Sequence, residues 1–236
     1  MDGLHPARRA HAAEHVFEQL ARAILVGELA PGAAMPPERV LVERFGVSRI
    51  IVRQAMHRLA EIGLVRVRQG GATIVLDPEQ ANDLRVLALF YRLAKKGDRP
   101  PFAAADVIEK QYVQGLSIVE IAGRRASRDD LEAVARLAHE TDPNGDLGVF
   151  EERFWRMLAL ACKNRIFRIE VTWWYETLTD RPVPEEVATS DGRVRLGFYR
   201  ELIRRLIERD SPTEYYLAVT RPLLELVVRR GSAEGP

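Results

Sequence analysis

The sequence predicts a mainly α protein: an N-terminal winged helix-turn-helix followed by a C-terminal all-α helical bundle. Three observations carry that expectation. Residues Pro36 to Val75 (PPERVLVERFGVSRIIVRQAMHRLAEIGLVRVRQGGATIV) read as a helix, a turn, a second helix and two short strands joined by glycines. Beyond residue 84, apolar residues recur at helical spacing without strand alternation. The third observation is charge. The whole chain carries only +1, yet between Arg39 and Gly70 seven arginines (39, 44, 49, 53, 58, 66 and 68) stand against Glu43 and Glu61. That segment is therefore +5 and the remainder −4, so positive potential is gathered on one small unit.

Each N-terminal element has a local reason. His15–Val26 carries apolar residues at 16, 17, 20, 24 and 25, a helical stripe. Glu28-Leu29-Ala30-Pro31-Gly32 ends it with turn chemistry. A short helix runs from about Pro37 to Phe45, because proline is tolerated in a first turn. Gly46 breaks it, and Ser48 is suited to cap the next helix through its side-chain oxygen. In that helix Val52, Met56 and Leu59 face inward, while Arg49, Ile50, Arg53 and His57 share the opposite face. Leu64–Arg68 and Ala72–Leu76 alternate as a hairpin around Gly70-Gly71, whose tip can approach a minor groove because glycine adds no bulk. Two arginines one turn apart near a helix start, Arg49 and Arg53, can reach guanine edges or flanking phosphates; Arg39 is placed to join them.

The runs PPER, ERFGVSR and VRQAMHRLAEIGLV, followed by Gly70-Gly71, resemble the N-terminal domain of the GntR family of bacterial transcription regulators over roughly residues 11–76. The resemblance implies double-stranded DNA as a partner, with Arg39, Ser48, Arg49, Arg53 and Gly70 at DNA-contacting positions. Two departures stand out. Ile50 and Ile51 follow Arg49 where relatives often carry threonine or proline, and Gln69 sits at the wing where some carry histidine. Ile50 either touches a thymine methyl or lies buried under the wing; both readings are open.

Residues 1–76 form the expected DNA-binding domain and Asp77–Asp83 (DPEQAND) a polar linker. Residues 84–230 form the helical domain, for ligand binding and dimerisation, and 231–236 a disordered tail. Helical stripes span Leu84–Lys96, Ala103–Gly123, Arg128–His139, Leu147–Cys162, Ile166–Leu178, Asp191–Arg209 and Thr213–Arg230. The segments VIEKQYVQGLSIVEIAGRRASRDDLEAV and FEERFWRMLALACKNRIF resemble the FCD effector domain of the FadR subfamily. Many members of that class hold a divalent metal with one Asp and three His. The matching positions here are Glu151, Trp155, Tyr199 and Arg221, at separations of 4, 44 and 22. Of these only Glu151 can ligate; an indole, a phenol and a guanidinium make no divalent-metal site, so no metal and no cofactor are expected.

The expected effector is a small carboxylate or a fatty acyl-CoA. Arg221 either pairs with Glu151, with Trp155 filling the old metal position, or binds an anionic ligand bidentately. LGFYREL at 196–202 resembles the metal-free branch that senses long-chain acyl-CoA. Trp174, with Trp173 and Tyr175, is placed to line an apolar cavity or to serve as plain core.

Other function classes are weaker. The longest stretch free of Asp, Glu, Lys and Arg is nine residues, too short for a membrane span, and the opening MDGLHPARRAHAAEH carries no secretory h-region. The single cysteine, Cys162, fits a reducing cytoplasm and a core position. No nucleotide loop or nucleophile elbow occurs, so an enzyme is not expected. The expectation is a cytoplasmic homodimer that binds a palindromic operator under effector control. Its alternatives are a helical ligand-binding or catalytic protein with incidental DNA binding, and a DNA-binding protein without an effector.

Overall fold

Apolar side chains at positions 16, 17, 20, 21, 24 and 25 bury one face of α1 (Ala7–Leu25), which begins eight residues before the expected start at His15. The computed structural model describes residues 7–68, 71–94, 104–177 and 190–233. They fall into two units, Met1–Phe102 and Ala103–Pro236.

In the first unit α1 packs against α3 (Arg49–Glu61), with α2 (Glu38–Phe45) alongside α3. Gly46 ends α2 in the left-handed region (φ 62°) and donates its N–H to Val42 at 3.0 Å, a conformation costly for any residue with a Cβ. Ser48 does occupy the N-cap of α3, but its hydroxyl caps no backbone N–H, contrary to expectation. The Ile51 N–H, which the hydroxyl would cap, goes instead to the Ser48 carbonyl at 3.1 Å, and the side chain stays exposed. Strands β1 (Val65–Arg66) and β2 (Ile74–Val75) pair antiparallel, Val65 opposite Val75 and Arg66 opposite Ile74. Residues 32–35 lie along the other edge of β2, through Met35 N–H to Thr73 O (2.8 Å) and Val75 N–H to Ala33 O (2.9 Å). The expected turn at Glu28–Gly32 reaches only the first residue of this segment.

The polar segment at 77–83 forms a 3₁₀ turn, Pro78–Gln80, capped by Asp77 on the Glu79 N–H. After it, α4 (Leu84–Ala94) buries Val86 and Leu89 in the core of the first unit. The sequence reading assigned this helix to the bundle. A capped polar turn can instead return the chain onto the domain it has just left, and the i, i+3 pair 86/89 supplies the apolar face for doing so.

The second unit comprises α5 (Ala104–Arg125), α6 (Arg128–Glu140), α7 (Leu147–Ala161), α8 (Arg165–Thr177), α9 (Gly192–Glu208) and α10 (Pro212–Ala233). Starts are written into the sequence. Ser127 and Asp130 form a capping box, Asp146 accepts from Gly148 and Val149, and Asp191 accepts from Arg193. Helix α10 runs through Ala233, past the expected start of a disordered tail at 231. Gly231 costs only about 1 kcal/mol in a helix, so on its own it does not end one. Helix α10 packs along α5, α9 along α6, and α7 lies against α5, α6 and α8. Phe154, Leu158, Leu196, Leu202 and Leu206 fill the centre, with Phe150 and Phe154 edge-on to Tyr199.

At the end of α9, Glu201 accepts from both Arg204 and Arg205 at 2.7 Å. These bonds hold its carboxyl down to about 2. A depressed carboxyl contributes stability above its unfolded value of 4.5 and loses that contribution as pH falls through the folded value. Thermal melts of Glu201→Gln should therefore lie below those of the wild type at pH 7 and converge with them between pH 4.5 and 2. A constant gap across that window would show that the carboxylate is not the cause.

Candidate nucleic-acid interface and helical-unit cavity

The outward face of α3 exists because its inward face is committed. Val52, Ala55, Met56 and Leu59 are buried, which leaves Arg49, Ile50, Arg53 and His57 in solvent. Ile50 is 70% exposed, which settles its position: it does not lie under the wing. Arg49 has no ion-pair partner among the described residues. Arg53 is held by Glu38 of α2, whose two oxygens each accept from its Nε at 3.0 Å; that bond and the neighbouring charge raise the guanidinium pKa further. Arg39 pairs with Glu43 one turn along at 2.9 Å. Both pairs are exposed, so a phosphate can compete for these guanidiniums at little cost.

Arg66, Val67 and Arg68 are exposed on the wing. Gln69 and Gly70 lie outside the described residues. Arg58 leaves the interface: it pairs with Glu14 and its guanidinium lies 4.2 Å above the Phe17 ring, which ties α3 to α1. One of the seven arginines is therefore structural.

The second unit carries a partly open cavity of about 210 Å³. Of the expected effector residues, Glu151, Trp155, Tyr199 and Trp174 line it together, as does Tyr175. Arg221 does not, and this corrects the sequence reading. On α10 the cavity is lined by Tyr216, Thr220, Leu223 and Leu224, positions on one helical face. Arg221 falls one step around the helix from them and is exposed.

The partner of Glu151 is instead Arg195 on α9, at 2.6 Å, with the two side chains 17% and 18% exposed. Sequence reasoning missed Arg195. The available signal was its position four residues before Tyr199, so that Glu151/Trp155 on α7 face Arg195/Tyr199 on α9 as two one-turn pairs. Burial pushes the Tyr199 phenol well above its ordinary range and raises Tyr216 as well, so both are protonated at neutral pH. Tyr216 donates to the Tyr112 carbonyl, and its hydroxyl sits where a Cβ on Gly115 would come within 2.2 Å. With Glu151 engaged by a guanidinium and its neighbours Trp155 and Tyr199 an indole and a phenol, these residues do not fit a divalent cation. Among the described residues no cluster of three His, Cys, Asp or Glu occurs. Cys162 is buried, donates to the Ile118 carbonyl, and has its thiol pushed up to about 11 by burial, so it is no nucleophile.

A second helix with an arginine face, set beside a small β-wing, is how winged helix-turn-helix regulators meet duplex DNA, and this fold and surface define that class. The profile described as "Bacterial regulatory proteins, gntR family" matches residues 12–75. The chain is 41% identical over 223 residues to the mannosyl-D-glycerate transport/metabolism system repressor MngR of Escherichia coli, covering 94% of this chain and 85% of that one. It is 30% identical over 171 residues to an uncharacterised HTH-type transcriptional regulator of Mycobacterium tuberculosis, covering 71% and 69%. The chain belongs to the GntR family and is a DNA-binding transcription regulator. A solved structure of Lar, which controls expression of the Listeria monocytogenes agr system, shares the fold with a TM-score of 0.52 at 16% identity, over 97% of this chain and 99% of that one. Among the described residues no helix is long and apolar enough to cross a membrane.

Removing Arg195 strands the Glu151 carboxylate in a largely dry site. Arg195→Met should cost about 1.5–3 kcal/mol in urea denaturation, and Glu151→Gln in the same chain should recover most of it. An unchanged midpoint in the single variant would show that the pair contributes nothing.

Proposed function

We propose that this regulator binds a palindromic operator as a homodimer and that a small molecule in the helical unit sets its affinity. Arg39, Ser48, Arg49, Ile50 and Arg53, with Gln69 and Gly70 of the wing, are its DNA contacts. The helical unit is an FCD-type effector domain whose metal positions have become Glu151, Trp155 and Tyr199. The observation that carries the effector reading is the partly open cavity those residues line, whose walls come from five helices of one unit. Its volume of about 210 Å³ is below the roughly 300–1,000 Å³ of drug-sized pockets, which favours a small metabolite over an acyl-CoA. Ile166 and Ile169, exposed at i, i+3 on α8, supply an apolar face suited to a second copy. The effector acts only through unequal affinity for the two DNA-binding arrangements of the dimer.

Among the described residues Arg49 is the arginine of the reading helix with no carboxylate to compete against, so it should contribute most. Arg49→Ala should weaken specific operator binding by about 1–3 kcal/mol in gel-shift titration. Unchanged affinity would reject α3 as the reading helix.

Ile50 should read a thymine methyl. Replacing the contacted thymine by deoxyuridine removes one methyl, which should cost the wild type about 0.8 kcal/mol and Ile50→Ala nothing. An equal loss in both proteins would place Ile50 away from the base.

A further inference from the structure

The cavity's walls differ in charge from what an anionic effector needs. Among the described lining residues Glu151 is the one charged side chain, and Arg195 already compensates it from outside the lining. Lys110, over the Trp174 ring at 4.9 Å, is likewise compensated by Glu170. A carboxylate entering here meets another carboxylate, and the nearby guanidinium of Arg195 is engaged by Glu151 and outside the lining, although its buried Nε lacks a hydrogen-bond partner among the described residues. An ammonium meets a carboxylate whose charge is spent. Burying either ion without a partner is costly.

Two further features describe the ligand. Trp155, Trp174, Tyr175, Phe198 and Tyr216 give the cavity aromatic walls, suited to a flat apolar body. Among the described residues the side-chain amide nitrogen of Gln114, which also lines the cavity, is buried without a hydrogen-bond partner. An unmatched donor of that kind calls for an acceptor. Size sets the scale: a cavity of roughly 150 Å³ takes benzene, so about 210 Å³ admits one ring with a short polar substituent.

We propose that the effector is a small uncharged cyclic molecule whose hydrogen-bond acceptor is received by Gln114, and not a free carboxylate. This rests on the cavity being the effector site. The test uses the full-length chain and three probes of one shape and different charge: benzamide, benzoate and benzylamine, the last cationic at pH 7. Calorimetric titration should give benzamide at least tenfold tighter binding than either ion, and Gln114→Leu should remove that preference. Gln114→Glu provides a second reading should the leucine variant fold poorly, because it should move the preference to benzylamine. Tighter binding of benzoate, or no binding of any probe at millimolar concentration, would overturn the proposal. Operator gel shifts on the ligand-free protein separate the two levels. Intact operator binding with a reversed ligand order rejects the uncharged effector alone, whereas loss of operator binding rejects the regulator's DNA contacts and leaves the ligand order as measured.

Discussion

A carboxylate held at 17% exposure must be matched by a cation, and the pairing of Glu151 with Arg195 meets that requirement inside the helical unit. Much of the unit's chemistry depends on it. The pair joins α7 to α9 at the same level at which Trp155 and Tyr199, one turn further along each helix, bring their rings together at 6.4 Å. It consumes the one charge in the cavity wall and so makes the cavity neutral. It also takes up the oxygen ligand that a metal would need.

The DNA-binding unit uses its ion pairs differently. There they are exposed, and exposed pairs contribute about 0–1 kcal/mol, so they orient side chains without committing them. Glu38 holds Arg53 in place from the neighbouring helix, and Glu43 holds Arg39 from one turn along the same helix. A phosphate can displace either carboxylate. Arg58, stacked on Phe17 and only half exposed, is the contrasting case: its charge is spent on the packing of α1 against α3. The +5 of the basic segment thus resolves into one structural arginine and six that are exposed.

Legibility followed periodicity. The faces of α3 could be read because Val52, Met56 and Leu59 repeat at helical spacing within one element, and the helices after residue 103 could be read for the same reason. What could not be read depended on which elements meet. Nothing in Leu84–Ala94 says whether its stripe covers the first core or the second; Val86 and Leu89 would suit either. The bridge between residues 32–35 and β2 is a long-range pairing of a short irregular segment, invisible to any local pattern. At the cavity, Glu151, Trp155 and Tyr199, three of the four positions singled out by the resemblance, lie together. The fourth fails because Arg221 is one residue out of phase with the lining face of α10. Its role falls to Arg195, which no motif marked. Gln114 was silent for a different reason: an unmatched amide is a property of its surroundings, not of its sequence neighbours.

These constraints bear on how such a regulator can respond. A charged effector could act by rewiring Glu151 and Arg195, since a competing carboxylate would release one of them. An uncharged one has no such means, because it offers nothing that either ion prefers to its present partner. Its leverage must come through packing, at places where the helices approach most closely. One such place is the crossing of α5 and α10, where Gly115 leaves no space for a Cβ beneath the Tyr216 hydroxyl and the Trp155 ring lies within 3.2 Å of the same point. Close-packed interiors do not deform continuously, so a ligand that outgrows the existing space beside Tyr216 and Trp155 must move one helix of this crossing against the other. The wall that selects the effector and the helix pair that registers its arrival are then built from the same few side chains.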